Sequence, residues 1–108
     1  MSGLVIIQDP NGKAQVKDEY DSIEFTLNTG ETNYDLDTNQ ANFKSNVEHP
    51  YYVEIFSTEE ISIKFNSTSN HSITIQADTL RVFDRQEAMN IYLTNASGTN
   101  SNVKIYVK

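Results

Sequence analysis

Asp35, Asp37 and Asn39, two residues apart from one another, are the side chains whose types and spacing come nearest to holding an ion. Oxygen ligands at alternate positions suit a hard cation, and Asp35-Leu36-Asp37-Thr38-Asn39 opens like a calcium loop. The rest of that loop is absent. Its sixth position needs glycine and holds Gln40, and its twelfth needs a bidentate glutamate and holds Asn46. The reading is therefore a solvated polar turn at Asp35, Asp37 and Asn39, with no cofactor. Asp18, Glu19 and Asp21 make a second acidic cluster and Glu59-Glu60 a third, both expected to be turns that keep strand edges soluble.

Catalytic constellations are equally thin. His49 and His71 are the only imidazoles, and no G-x-S-x-G elbow offers either of them a nucleophile. His49 precedes Pro50, a placement that fixes an extended backbone more often than it supplies a base. Fifteen carboxylates are too many for any one pair to stand out as an acid and base. The expectation is a protein that is not an enzyme. The absence of cysteine excludes disulfides, thiol chemistry and cysteine-ligated zinc. A net charge of -7 gives no basic stripe for phosphates, so direct nucleic-acid binding is not expected. No stretch approaches the roughly 18 apolar residues of a membrane span, and no secretory signal is visible at the start.

Tyrosines are the remaining candidates for contact. A phenol has an apolar face and a polar edge, so Tyr20, Tyr34, Tyr51, Tyr52, Tyr92 and Tyr106 could stack on sugars or meet a partner. Tyr92 and Tyr106 fall on the outer register of their strands and are the candidate outer patch. A cross-strand aromatic pair also stabilises a sheet by roughly 0.2–1 kcal/mol with no partner at all, and both readings stand.

The elements that would position these residues are strands. Apolar residues alternate at Ile23, Phe25 and Leu27; at Val53 and Ile55; at Ile61, Ile63 and Phe65; at Ile73 and Ile75; at Leu80 and Val82; at Ile91 and Leu93; and at Val103, Ile105 and Val107. A period of two sends these to one face and Glu24, Thr26, Ser62, Lys64, Thr74, Arg81, Tyr92, Lys104 and Tyr106 to the other. Eight or nine strands are expected, with helix limited to one turn at Arg85 to Asn90.

Asn, Ser, Thr, Asp and Gly clusters separate the runs, as turns require. Asn66 to Asn70 reads as a hairpin loop, and Asn95 to Asn102 joins another pair with Gly98 at positive φ. Residues 29–46 are the longest irregular stretch, an excursion suited to meeting a partner. Charge is uneven: twelve acidic and three basic residues lie up to Glu60, and three acidic and five basic beyond it. That asymmetry either creates opposed faces or disappears when a Greek key interleaves the halves. The whole chain, 1–108, thus reads as a single antiparallel β-sandwich or jelly-roll-like domain with minimal helix. Residues 1–12 serve as an N-terminal arm, in which Leu4, Val5, Ile6 and Ile7 form a strand that pairs internally or docks on a neighbour.

From about Val47 onward the chain resembles small β-rich structural proteins of tailed bacteriophages. The residues that carry this are Glu60-Ile61-Ser62-Ile63-Lys64-Phe65 with its Asn/Ser/Thr turn, Ile73-Thr74-Ile75, and Asn90-Ile91-Tyr92-Leu93-Thr94-Asn95-Ala96-Ser97-Gly98 leading to Val103-Lys104-Ile105. The resemblance implies a virion component, above all a capsid decoration, cement or auxiliary protein, or else a head–tail part. Its partners would be the major capsid protein or other virion proteins, as a homo-oligomer or lattice-bound, assembled in the host bacterial cytoplasm. A carbohydrate- or receptor-binding module using the tyrosines and the Asp35/Asp37 loop is the alternative expectation.

Overall fold

The computed structural model describes residues 4–8, 14–18, 20–43, 47 and 49–108, the first two segments in main-chain terms only. In chain order its elements are β1 (Leu4–Gln8), β2 (Ala14–Asp18), β3 (Asp21–Leu27), β4 (Tyr34–Asp35), α1 (Leu36–Asn39), β5 (Tyr52–Ser57), β6 (Ile61–Phe65), β7 (Ile73–Ile75), β8 (Arg81–Asp84), β9 (Ile91–Thr94) and β10 (Ser101–Val107). Leu4, Val5, Ile6 and Ile7 form the strand expected of them, paired internally with Asp18, Lys17, Val16 and Gln15. What their side chains meet lies outside the described residues.

The strands from β3 onward make two four-stranded antiparallel sheets, ordered β3-β10-β5-β8 and β4-β9-β6-β7. Counted from β3, these orders are first-eighth-third-sixth and second-seventh-fourth-fifth. Successive strands switch sheets except at β6 and β7, which form the expected hairpin across Asn66 to Asn70. This is the jelly roll, two Greek keys wound into a sandwich. It interleaves the acidic first half with the basic second, and Lys104 Nζ stands 3.8 Å from the Glu24 carboxylate.

Period-two alternation builds the core. Val53, Ile55, Ile61, Ile63, Phe65, Ile75, Ile91, Leu93, Val103, Ile105 and Val107 are buried between the sheets, as their spacing requires, with Leu27 closing one end. Ile23, Phe25 and Ile73 pack against this core in partly buried positions.

Gly98, between β9 in one sheet and β10 in the other, takes the expected positive φ, 88°. Three details differ from the sequence expectation. Leu80 and Val82 do not point inward: they are 57% and 46% exposed, while Phe83 takes the inner position and packs edge-on against Phe65, ring centroids 5.1 Å apart. Residues 85–90 hold no helix, and among the described residues the single helical turn is α1. Residues 29–43, the described part of the irregular stretch, are not merely an excursion, because Leu36 and Phe43 are buried in the core and the Tyr34 ring stacks on Phe25 at 5.7 Å.

A candidate docking face

The stretch read as a solvated polar turn is a helix start. Asp35 caps α1: its Oδ1 accepts from the Thr38 amide at 3.1 Å and its Oδ2 from the Thr38 hydroxyl at 2.9 Å. Asn39 donates back to the Asp35 carbonyl at 2.8 Å, and Asp37 Oδ2 accepts from the Ile91 amide at 2.9 Å, fixing α1 to β9. These oxygens are engaged in holding the fold. Among the described residues no three of His, Asp and Glu stand where they could share an ion. His49 and His71 are exposed, and the space between the sheets is filled by aliphatic side chains.

The two outer faces of the sandwich differ in chemistry. On the β4-β9-β6-β7 sheet, Thr94, Ser62 and Thr74 lie in one row across three strands, and Lys64 lies opposite Tyr92. A shallow hollow of about 250 Å³ there is lined by Glu60, Ser62, Thr74, Thr94 and Ser97. Hydroxyls dominate this side.

The outer face of β3-β10-β5-β8 mixes aromatic and aliphatic side chains with charged ones. Its register sets Tyr106 between Ser22 and Glu54, and Lys104 between Glu24 and Phe56. Glu54 in turn lies opposite Val82, and the same antiparallel register carried one pair further along the outer face brings Leu80 beside Phe56. At one end Tyr20 stacks on Tyr106 with centroids 5.8 Å apart, and Tyr52 meets Tyr106 edge-on at 6.3 Å. Lys108 Nζ sits 4.7 Å from the Tyr52 ring centre, within cation–π range. A groove of about 370 Å³ runs among Glu24, Glu54, Phe56, Leu80, Lys104 and Tyr106. Tyr52 donates its hydroxyl to Glu54 Oε2 at 2.5 Å. That bond to a carboxylate, with partial desolvation and the negative charges of Glu54 and Asp84 behind it, pushes the phenol up from 10.0 to about 12.

Tyr92 and Tyr106 therefore do not share a patch. They are in different sheets and on opposite outer sides of the sandwich, because a period of two tells outside from inside without telling which sheet a strand joins. Tyr106 belongs to the aromatic face together with Tyr20, Tyr52 and Phe56, which the outer-patch expectation missed. The signal was present in Tyr52-Val53-Glu54-Ile55-Phe56: if Val53 and Ile55 face in, the other three face out.

No family model matches this chain, and no curated protein does. Among solved structures, a de novo designed double-stranded β-helix determined by solution NMR resembles it with a TM-score of 0.52. The match has 16% identity and covers 81% of this chain and 97% of the design. The likeness concerns the fold: an all-β domain of two packed antiparallel sheets.

Proposed function

We propose that the protein is a non-enzymatic structural component of a virion, a capsid decoration, cement or auxiliary protein of a tailed phage. It works by docking the outer face of β3-β10-β5-β8 on a neighbouring protein chain in the particle. The observation that carries the docking half is that face itself: Tyr20, Leu80 and Val82 are exposed beside Phe56 and Tyr106 on a chain otherwise rich in acid and hydroxyl groups. Exposed apolar residues grouped in this way mark contact surfaces. An interior packed with aliphatic side chains favours a scaffold over an enzyme. The virion half rests on the resemblance of the sequence from Val47 onward, and the jelly roll is an architecture that capsid proteins use, as lectins and cupins also do.

Quantitative mass spectrometry of purified particles tests this reading. About one copy per shell subunit supports decoration or cementing, and a smaller fixed ratio supports a vertex, neck or tail position. Absence from the particles overturns it. The N-terminal strand enters the same proposal as an arm, and deletion of residues 1–8 should release the protein from particles while leaving the sandwich folded. Unchanged occupancy removes the arm from the reading.

One observation favours a second reading, a carbohydrate-binding module: the Tyr106 ring and the polar groups of Glu24, Glu54 and Lys104 line one open groove. Saturable binding on a glycan array, lost in Tyr106→Ala, supports it. The Asp35/Asp37 loop has no part in this version, since its carboxylates are bonded within the fold.

A further inference from the structure

We infer that the occupant of the β3-β10-β5-β8 outer face is a second copy of this chain, the two sheets packing face to face. This rests on the reading of that face as the docking surface. Charge is the first reason. The chain carries -7 overall, yet this face holds Glu24, Glu54 and Asp84 against Lys104 and Lys108. Two copies meet with little repulsion here, whereas an average approach brings acidic surfaces together. A two-fold contact presents the same surface to itself, so charged groups on it can pair across the contact only where both signs share one face, and this face has them interleaved.

Shape is the second reason. Leu80 and Val82 protrude next to a groove lined by Phe56, Tyr106 and Leu80 itself together with Glu24, Glu54 and Lys104. A two-fold contact gives each copy both a protruding aliphatic side chain and a hollow, part aromatic and part charged, to receive it. The hollow on the opposite outer face is smaller, about 250 Å³, and stands beside the hydroxyls of Thr94, Ser62 and Thr74. The carboxylates also turn away anionic surfaces such as nucleic acid or an acidic membrane.

Four strands about 4.8 Å apart and about 20 Å long give a face roughly 19 × 20 Å in plan. That plan area, about 380 Å² per copy, lies below the roughly 800 Å² per partner of standard interfaces, so the dimer is weak in isolation, with dissociation constants of about 10–100 μM. Crowding on a lattice would fill it.

The full chain is to be studied by sedimentation equilibrium from about 10 μM to about 1 mM, bracketing that range. The average mass should rise from 12.3 kDa toward twice that value. Leu80→Lys should weaken association at least about tenfold, and Thr74→Lys on the other face should leave it unchanged. Because the chain has no cysteine, Leu80→Cys should cross-link into dimers on mild oxidation and Thr74→Cys should not. A mass fixed at 12.3 kDa throughout, or equal cross-linking of both cysteine variants, overturns the inference. If wild type stays monomeric but Leu80→Lys is lost from particles, the face binds a different protein: the second copy is refuted and the docking reading survives. If Leu80→Lys changes neither association nor occupancy, both fall.

Discussion

The side-chain amide of Asn95, fully buried, donates to the main-chain carbonyl of Leu27 at 2.9 Å and ties the end of β9 to the end of β3 in the other sheet. Its second N–H goes to the Thr99 carbonyl at 2.9 Å, and its Oδ1 accepts from the amide and hydroxyl of Ser97 at 3.1 and 2.7 Å. Two donors and two acceptor positions are all in use, which is the full capacity of the group. Main-chain bonds from Gly30 to the Asn95 carbonyl and from Asn95 to the Glu31 carbonyl, at 2.8 and 2.9 Å, complete the joint.

Asn95→Ala should therefore destabilise the fold by about 2–4 kcal/mol, because the Leu27 carbonyl loses its buried donor and the Ser97 amide and hydroxyl lose their acceptor. Urea unfolding measures this, and a loss under about 1 kcal/mol would contradict the role assigned to the amide. Asn95-Ala96-Ser97 is also a glycosylation sequon, and the burial of this nitrogen keeps the site closed in the folded protein.

Phe83→Ala should cost about 2–4 kcal/mol, since the ring packs against Phe65. Val82→Ala should cost less than about 0.5 kcal/mol, because that side chain already faces solvent. Thermal melts of the two variants rank them, and the reverse order would restore the alternation read from Leu80 and Val82.

That pair of residues shows where a sequence stops being informative. Long runs such as Val103-Lys104-Ile105-Tyr106-Val107 have one apolar parity, so the inner face was legible in β10 and in β3, β5, β6, β7 and β9. In β8, four residues long and at a sheet edge, Val82 and Phe83 have opposite parities and either could face in. Helix α1 is shorter than two turns, so no 3.6-residue period could announce it. The docking face was half legible. Its residues could be assigned to the outside, but gathering Tyr20, Phe56, Leu80 and Tyr106 on one surface depends on pairings between distant strands that spacing does not encode.

Asp35→Ala should lower stability by about 1 kcal/mol through loss of the α1 cap, with the loss read from denaturant midpoints. Calcium or a chelator should leave the melting temperature of the wild type unmoved, because the carboxylates of Asp35 and Asp37 already accept hydrogen bonds from the chain. A calcium-dependent rise would return a cation to this loop.

The Tyr52 phenol gives a pH signature. Its affinity for the proton is higher in the folded chain, up to about 12 against 10.0, so the folded state keeps a proton that the unfolded state releases. The stability tied to it is complete below about pH 10 and is lost as pH rises toward about 12. In Glu54→Gln the carboxylate charge is gone, and the phenolate band assigned by Tyr52→Phe should appear at lower pH. A Tyr52 titration identical in the Glu54→Gln background would remove Glu54 as the cause.

The central position of β10 sets the order in which the chain can acquire its shape. Thr26 and Asn102 hydrogen-bond across the ladder at a separation of 76 residues, so the largest sheet closes only by drawing in a long loop. The β6–β7 hairpin can form as soon as it is made, whereas Ile23 and Phe25 wait for residues 101–107 to leave the ribosome. High contact order of this kind places folding in the millisecond-to-second regime. During that interval the half-made sheet is the aggregation-prone species, and soluble yield follows how fast the last ladder zips up rather than how firmly it holds afterwards.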